Sequence, residues 1–306
     1  MTVTMTGTHT APEGGEHALP PELGRVSLIW RVLRRDRTAM IGVVLVGGLV
    51  AAAVLAPVLA PHDPNAVDVV RKYHPPSREF PLGTDNLGRD ILSRLLVGAR
   101  LSIGTAVVAG LSIGLIGLVM GMIAGWFGGV ADTVIGRVVD ILLAFPLFLL
   151  ALGMTGLIGP GLRNMTIALV GVAWAGYARI VRSAVLAERG KPYVEAARAA
   201  GATELRILRK HVLPNVVPPV IVLTTIDMGV VLLAISGLSF LGLGVKPPTA
   251  EWGSMLAEGR NYLDQGPQMT IFPGAAIFLM VLGFNLLGDG LRDALDPRAS
   301  RALTHG

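Results

Sequence analysis

The chain has 306 residues, of which 52% are hydrophobic and 15% are charged, and its mean hydropathy is +0.62. Because a soluble domain carries about a quarter charged residues, this composition excludes an ordinary soluble protein and indicates a chain that crosses a membrane several times. The absence of cysteine excludes a disulfide framework and a thiolate metal or redox site. The net charge of +5 fits membrane orientation better than nucleic-acid binding.

Six stretches are apolar and long enough to cross a bilayer, which needs about 20 such residues in a helix. We therefore predict an all-α membrane protein with six transmembrane helices. The predicted spans are residues 38–61, 101–131, 141–162, 164–178, 216–245 and 265–288. The fourth span is short, and we expect it to extend to Arg179 or Arg182, whose long side chains can reach the interface.

The remaining segments follow from these spans. Residues 1–24 are polar, lack the apolar run of a secretory signal, and are predicted to be a disordered cytosolic tail. Residues 25–98 hold the first span and an external loop, residues 99–290 form the main transmembrane domain, and residues 291–306 form a second cytosolic tail.

Lysine and arginine counts orient the chain. With the N-terminus inside, the cytosolic segments carry 17 of these residues and the external segments carry nine. Basic residues favour the cytosolic side, so both termini are predicted to be cytosolic. This orientation places residues 184–215 in the cytosol.

The external segment before the second span is polar and rich in turn residues. Residues 85–94 are predicted to be an amphipathic helix on the outer surface, capped by Thr84 or Asp85. There it could either meet an external protein or lie at the interface alone.

Glycines recur every four residues in the second span, at Gly117, Gly121, Gly125 and Gly129, and Gly110 and Gly114 show the same spacing. Small residues let helices approach closely in lipid. Two interpretations remain open, which are packing within the chain and contact with a second membrane subunit. Pro146 and Pro273 fall inside predicted spans and each removes a backbone donor, which can kink a helix.

Residues 191–215 are basic, helix-forming and too polar for lipid. Pro192 suits the first turn of a helix, Glu195 favours its N-terminal dipole, and Gly201 suits a C-terminal turn. A second short helix over residues 203–212 is predicted to stop at Pro214. The result is an alanine-rich elbow with a basic rim, whose shape favours docking on a soluble partner over a loop that merely obeys the orientation rule.

The fifth span contains one acidic residue, Asp227. A carboxylate near the middle of a span costs about 3 kcal/mol on insertion scales. It is therefore expected to face the bundle interior or a watery path, where it could attract a substrate ammonium. The alternative is a hydrogen bond with Thr224 or Thr225.

Several enzyme motifs are missing from the chain. The sequence has no GxxxxGK[ST] phosphate loop and no HExxH helix. The pattern GxSxG occurs at residues 110–114, but it lies inside the second predicted span and not at the strand-to-helix turn of a nucleophile elbow. No histidine falls within a predicted span, so an intramembrane nucleophile would lack a histidine base. We therefore predict a protein without catalytic residues, resident metal or cofactor.

The cytosolic loop resembles the EAA loop of permease subunits of ATP-binding-cassette (ABC) importers. Glu195-Ala196-Ala197, Gly201 and Leu213-Pro214 keep the spacing of that motif, and His211 stands at its Ile position, as in the peptide-type branch. In the family this loop docks on the ATPase subunit. The resemblance thus implies a coupling loop made of Glu195, Ala196, Ala197, Gly201, His211, Leu213 and Pro214.

Two other stretches resemble the second permease of dipeptide, oligopeptide and nickel importers. They are residues 81–94, before the second span, and residues 238–253, around the end of the fifth. The resemblance makes Asp85, Arg89, Asp90 and Trp252 candidates for contact with an external binding protein. Family members often carry Glu at the position of Ile235, so Asp227 and Thr224 become the candidates for the translocation path.

The resemblance, which covers about residues 25–298, implies a type I ABC importer permease fold in the bacterial plasma membrane. The implied partners are a homologous second permease, two cytosolic ATPase subunits that bind ATP and magnesium, an extracytoplasmic substrate-binding protein and membrane lipid. The implied substrates are dipeptides or oligopeptides, with a nickel chelate or another small solute as the alternative. A stand-alone channel or secondary carrier is disfavoured, because the halves show no inverted symmetry.

Overall fold

The computed structural model describes residues 36–295, together with Trp30, Leu33 and Arg34. The predicted tail over residues 1–24 and residues 296–306 of the second predicted tail lie outside the described residues. Within them the regular structure is helical, apart from one isolated bridge between Thr84 and Asp90. The helices are α1 Arg37–Val54, α2 Ala56–Leu59, α3 Ile91–Phe127, α4 Gly129–Leu143, α5 Leu147–Ile158, α6 Leu162–Arg189, α7 Pro192–Ala199, α8 Glu204–Ile207, α9 Leu213–Phe240, α10 Trp252–Gly259 and α11 Gln268–Leu295.

Five helical segments in this part of the chain are apolar and long enough to cross a membrane. They are α1, α3, α6, the continuous stretch Glu204–Phe240 and α11. The sixth candidate is the pair α4 and α5, which meet at an angle of 93°. This pair joins the end of α3 to the start of α6, and counted as one broken span it brings the number of candidate spans to six. The prediction of an all-α protein with six spans is confirmed.

The third span is broken at the proline that the sequence marked as a possible kink. Residues 141–162 include the end of α4, the bend and all of α5. Pro146 lies at the bend and precedes the first residue of α5. Because proline has no amide hydrogen, it cannot continue the hydrogen bonding of α4.

Two helix boundaries differ from the prediction. The helix α3 begins at Ile91, and its N-cap is Asp90, whose carboxylate accepts from the amide of Ser93 at 3.0 Å. A cap at Thr84 or Asp85 is therefore wrong. The helix α6 runs on to Arg189, well past the predicted end of the fourth span.

Pro214 does not end a helix as predicted. A π-helical turn, Leu208–Val212, joins α8 to α9, and Pro214 lies in the first turn of α9. Proline has no amide hydrogen to donate, and here it follows a π-helical turn and not a regular α-helical one. The cytosolic elbow therefore continues without a break into the fifth span.

The centre of the bundle is α3, which packs against α1, α6 and α9, while α11 packs against α1 and α9. The glycines of α3 decide between the two interpretations left open by the sequence. A Cβ added at Gly121 would lie 2.6 Å from the carbonyl oxygen of Ala178, and one at Gly125 would lie 2.9 Å from that of Arg182. Both glycines thus allow α6 to approach closely, so this part of the stripe serves packing within the chain, whereas Gly129 lies at the start of α4 and has nothing within 4 Å.

Candidate functional site

Two backbone hydrogen bonds close the turn of the cytosolic elbow. The amide of Gly201 donates to the carbonyl of Arg198 at 3.0 Å, and the amide of Ala202 donates to that of Ala197 at 3.1 Å. This pair of bonds is the Schellman ending of a helix, and it requires a left-handed residue. Gly201 supplies that conformation, with φ of +78°. The glycine therefore fixes the direction in which the chain leaves α7.

Part of the predicted coupling loop forms the outer surface of this elbow. Glu195, Ala196 and Gly201 are exposed, and Ala197 is half-buried. Val194 is fully buried and anchors α7 to the bundle. The exposed side of α7 therefore carries one carboxylate and small side chains, which allow close approach of another backbone.

The other loop residues named from the sequence lie behind this surface. His211 is in the π-helical turn and is half-buried, and Leu213 and Pro214 begin α9 and are also half-buried. The imidazole of His211 lies near the ring of Tyr193, with ring centroids 6.0 Å apart. These three residues therefore support the elbow, whereas Glu195 and Ala196 form its outer face.

A polar cluster ties the elbow to two spans. We call it the clamp, and it consists of Glu188, Lys191, Tyr193 and Asn215. Glu188, near the end of α6, accepts hydrogen bonds from Lys191 and from the Tyr193 hydroxyl. Asn215, in the first turn of α9, donates to the Tyr193 oxygen at 3.1 Å and to Glu188 at 3.4 Å. Burial, together with the hydrogen bond to Glu188, raises the pKa of Tyr193, so its hydroxyl keeps its proton.

The intramembrane carboxylate has a partner that the sequence did not indicate. The Tyr177 hydroxyl on α6 donates to Asp227 Oδ2 at 2.7 Å. The alternative of a hydrogen bond between Asp227 and Thr224 or Thr225 is not formed. The Thr225 hydroxyl donates to the carbonyl of Ile221 in its own helix, and Thr224 is buried where α9 meets Gly114 of α3.

Asp227 and Tyr177 line a cavity of about 280 Å³ between α3, α6, α9 and the bend between α4 and α5. The other side chains around it are apolar. Ile235, at the position where family members often carry Glu, is fully buried in the core. Asp227 is half-buried, and the cavity opens at Phe145, Ile180 and Val230, whose side chains are exposed. A place for Asp227 in the bundle interior or on a watery path thus stays a prediction.

On the external side, four charged side chains form a buried network. Arg89 Nε lies 2.6 Å from Asp85 Oδ2, and Arg89 Nη2 lies 2.6 Å from Glu258 Oε2. Arg94 contacts both carboxylates at 3.6 and 3.4 Å. Its guanidinium also donates to the carbonyls of Pro64 and Pro248, each at 3.2 Å. Two segments that were both predicted to be external, one before the second span and one after the fifth, thus meet at one end of the bundle.

A second buried group lies beside this network. Glu251 is fully buried and accepts from the amides of Gly253 and Ser254, each at 2.9 Å, and from the Ser102 hydroxyl at 3.1 Å. The Trp252 indole donates to the carbonyl of Leu95 at 3.0 Å. These bonds fix α10 against α3.

The predicted contact of Asp85, Arg89, Asp90 and Trp252 with an external protein needs correction. All four are buried, with 1–3% of each residue exposed. We call the loops and α10 that meet at this end of the bundle the external cap. Because the polar groups of these side chains bind other parts of the loops and the start of α3, the side chains lie inside the external cap and not on its surface.

Sequence reasoning missed Tyr177, the clamp and Glu258. A tyrosine in a span and a glutamate in a loop carry no periodic signal, and their partners lie 50 and 169 residues away in the chain. Among the described residues, no group of three or more His, Asp or Glu side chains is placed to hold a metal ion.

The bundle of apolar helices and the polar elbow on its cytosolic side define an integral membrane transport subunit. Residues 117–301 match the family described as the binding-protein-dependent transport system inner membrane component, and residues 25–76 match the N-terminal transmembrane domain of oligopeptide transport permease C. The chain belongs to the first of these families, and it is a multi-pass permease subunit of the inner membrane.

Two relatives and one solved structure illustrate the match. A di/tripeptide transport system permease protein of Pseudomonas aeruginosa is 41% identical over 308 residues, which cover 97% of this chain and 100% of the relative. A nickel transport system permease protein of Escherichia coli is 44% identical over 237 residues, which cover 78% and 86%. The inward-facing MetNI methionine ABC transporter has a chain with a TM-score of 0.53 and 22% identity, covering 66% of this chain and 96% of that one; this likeness concerns the fold.

Proposed function

We propose that the chain is a permease subunit of an ATP-driven ABC importer that carries dipeptides or oligopeptides inward. The observation that carries this proposal is the closed cytosolic elbow at Gly201, exposed on one side and joined to α6 and α9 on the other. Such an elbow can receive movement from a soluble partner and pass it to two spans. The chain itself has no phosphate loop, so ATP and magnesium bind in the partner.

The docking partner of the elbow is a cytosolic ATPase subunit. The face formed by Glu195, Ala196 and Gly201 meets a groove in it, and the basic residues beside the elbow surround the contact. Arg206, Arg209 and Lys210 are exposed on this side and can pair with acidic groups of the partner. The importer then switches access by rigid-body movement of the bundle.

The other partners follow from the family. The assembly contains a homologous second permease, two ATPase subunits and an extracytoplasmic substrate-binding protein. Inside the bundle, Asp227 lies on the translocation path, and Thr224 holds α9 against α3 beside it. Outside, the binding protein docks on the surface of the cap that the network of Asp85, Arg89, Arg94 and Glu258 holds together.

The experiment is uptake of a radiolabelled dipeptide by proteoliposomes that contain the whole assembly. We expect uptake that requires ATP, the ATPase subunits and the loaded binding protein. Uptake without ATPase subunits would instead identify a secondary carrier or a channel. ATP-driven uptake of nickel chelate in place of dipeptide would support the alternative substrate.

A further inference from the structure

The cavity between α3, α6 and α9 has the chemistry of a cation site. We propose that the Tyr177–Asp227 pair is a subsite for the α-ammonium group of a peptide in transit. The inference rests on the proposed function, and it adds the chemical group that the path recognises.

The first argument is charge. Eleven ion pairs link the described residues, and none of them includes Asp227. Its one hydrogen bond comes from the neutral phenol of Tyr177, which binds Oδ2. Charged residues within spans pair with one another or mark a substrate or ion path. A carboxylate that borders a cavity and has no cationic partner in the described residues fits the second case.

The second argument is geometry. The tyrosine hydroxyl occupies only one carboxylate oxygen, which leaves Oδ1 without a partner among the described residues. The close approach of α3 to α9 fixes the orientation of Asp227, since a Cβ added at Gly114 would lie 2.5 Å from the Thr224 hydroxyl oxygen. With α9 held in this register, the carboxylate faces the cavity.

The third argument is the nature of the ligand. An ammonium group donates three hydrogen bonds and carries a positive charge, which would balance the negative charge of the Asp227 carboxylate. A bare metal ion needs more ligands than one carboxylate and one phenol, and no metal-binding group lies in the described part of the chain. Ligand pockets measure roughly 300–1,000 Å³, so a cavity of about 280 Å³ fits the amino-terminal end of a peptide better than a long peptide. The apolar side chains that line the cavity contact the first side chain of the peptide without selecting for a particular residue type.

The chain offers a direct test, because it contains no cysteine. Gly176 lines the cavity, and a side chain added there would meet nothing within 4 Å. We would introduce Gly176→Cys into the assembled importer without its binding protein and follow labelling by a water-soluble maleimide. Gly190→Cys is the matched control, since position 190 is equally open but lies on the cytosolic side.

We expect alanyl-alanine to slow labelling of the Gly176→Cys protein at least threefold, and N-acetyl-alanyl-alanine and nickel chloride to leave it unchanged. Adding Asp227→Asn should abolish the protection, whereas Asp227→Glu, which keeps the charge, should retain part of it. Labelling of the Gly190→Cys protein should not respond to any of the three compounds. Elution of each variant complex at the wild-type volume in gel filtration verifies that the substitutions preserve the fold.

Two results would overturn the subsite. One is equal protection by the free and the acetylated dipeptide, and the other is protection that survives Asp227→Asn. Loss of the proposed function has a different signature, in which the wild-type assembly fails to take up any peptide with ATP and its binding protein. Because labelling is measured without ATP and without the binding protein, the two failures are distinguishable.

Discussion

Asn215 donates a hydrogen bond to the hydroxyl of Tyr193 at 3.1 Å, which joins the first turn of α9 to the cytosolic helix α7. Both residues also contact Glu188 near the end of α6. The elbow is thus attached at one point to two transmembrane helices.

Removal of the Tyr193 hydroxyl should weaken this attachment. We expect Tyr193→Phe to lower ATP-driven uptake several-fold while ATP hydrolysis continues, because hydrogen bonds to a charged group contribute about 1.5–3 kcal/mol. Uptake and hydrolysis measured on the same proteoliposomes check this. Tyr262→Phe is the control, since that hydroxyl makes no hydrogen bond within the described residues. Equal losses of uptake and hydrolysis in the Tyr193→Phe protein would show that the clamp holds the docking surface itself.

The backbone conformation of Gly201 should be essential. A non-glycine residue in the left-handed region costs about 1–2 kcal/mol, so Gly201→Asp should distort the elbow and abolish uptake without removing the protein from the membrane. Asn tolerates this conformation about as well as Asp, but it adds no charge to the exposed face of the elbow, so Gly201→Asn should retain intermediate uptake. Gly190→Ala should be silent, because Gly190 has an ordinary φ of −84°. Uptake at the wild-type level in the Gly201→Asp protein would refute docking through this elbow.

Adding one methyl group to the glycine stripe of α3 should lower the stability of the protein. We expect Gly121→Ala to destabilise the protein by about 1–3 kcal/mol, because the new Cβ would collide with the backbone of α6. Gly104→Ala lies on the same helix and faces open space. Its thermal stability in detergent should be unchanged or slightly raised. Similar melting temperatures for the two variants would contradict close packing at Gly121.

The buried network of the external cap should tolerate no single loss. Arg94→Met leaves Asp85 and Glu258 with one cation fewer in a buried site. Breaking a buried ion pair costs about 3–5 kcal/mol, so we expect a large fall in the melting temperature. Arg71→Met removes an exposed arginine that pairs with Glu79, and exposed pairs contribute about 0–1 kcal/mol. An equal effect of both substitutions would show that the network does not stabilise the cap.

Much of the architecture could be predicted, because lipid imposes simple rules on sequence. Long apolar runs identified the spans, and the distribution of lysine and arginine predicted which ends of the spans face the cytosol. The elbow was predicted at Pro192 and Gly201, since both residues have strong local preferences. Pro146 marked a possible kink in the third span, but a bend as large as 93° could not be predicted from an apolar run of normal length.

The contacts between distant segments could not be predicted. Asp227 was marked by its cost in lipid, but its partner Tyr177 lies 50 residues earlier. The external loop was polar and was therefore placed on a surface. In the structure Arg89 and Arg94 lie inside it, because carboxylates from two other positions compensate their charges.

The length of α3 has a mechanical meaning. At 37 residues and about 1.5 Å per residue the helix is about 55 Å long, which exceeds the roughly 30 Å hydrocarbon core. Its outer end carries the buried arginine of the cap, and its inner end meets the side chain of Arg189, which donates to the carbonyl of Trp126. A tilt about a pivot within the bilayer would displace these two ends in opposite directions. A single stiff helix can thus couple a movement on one side of the membrane to a movement on the other side.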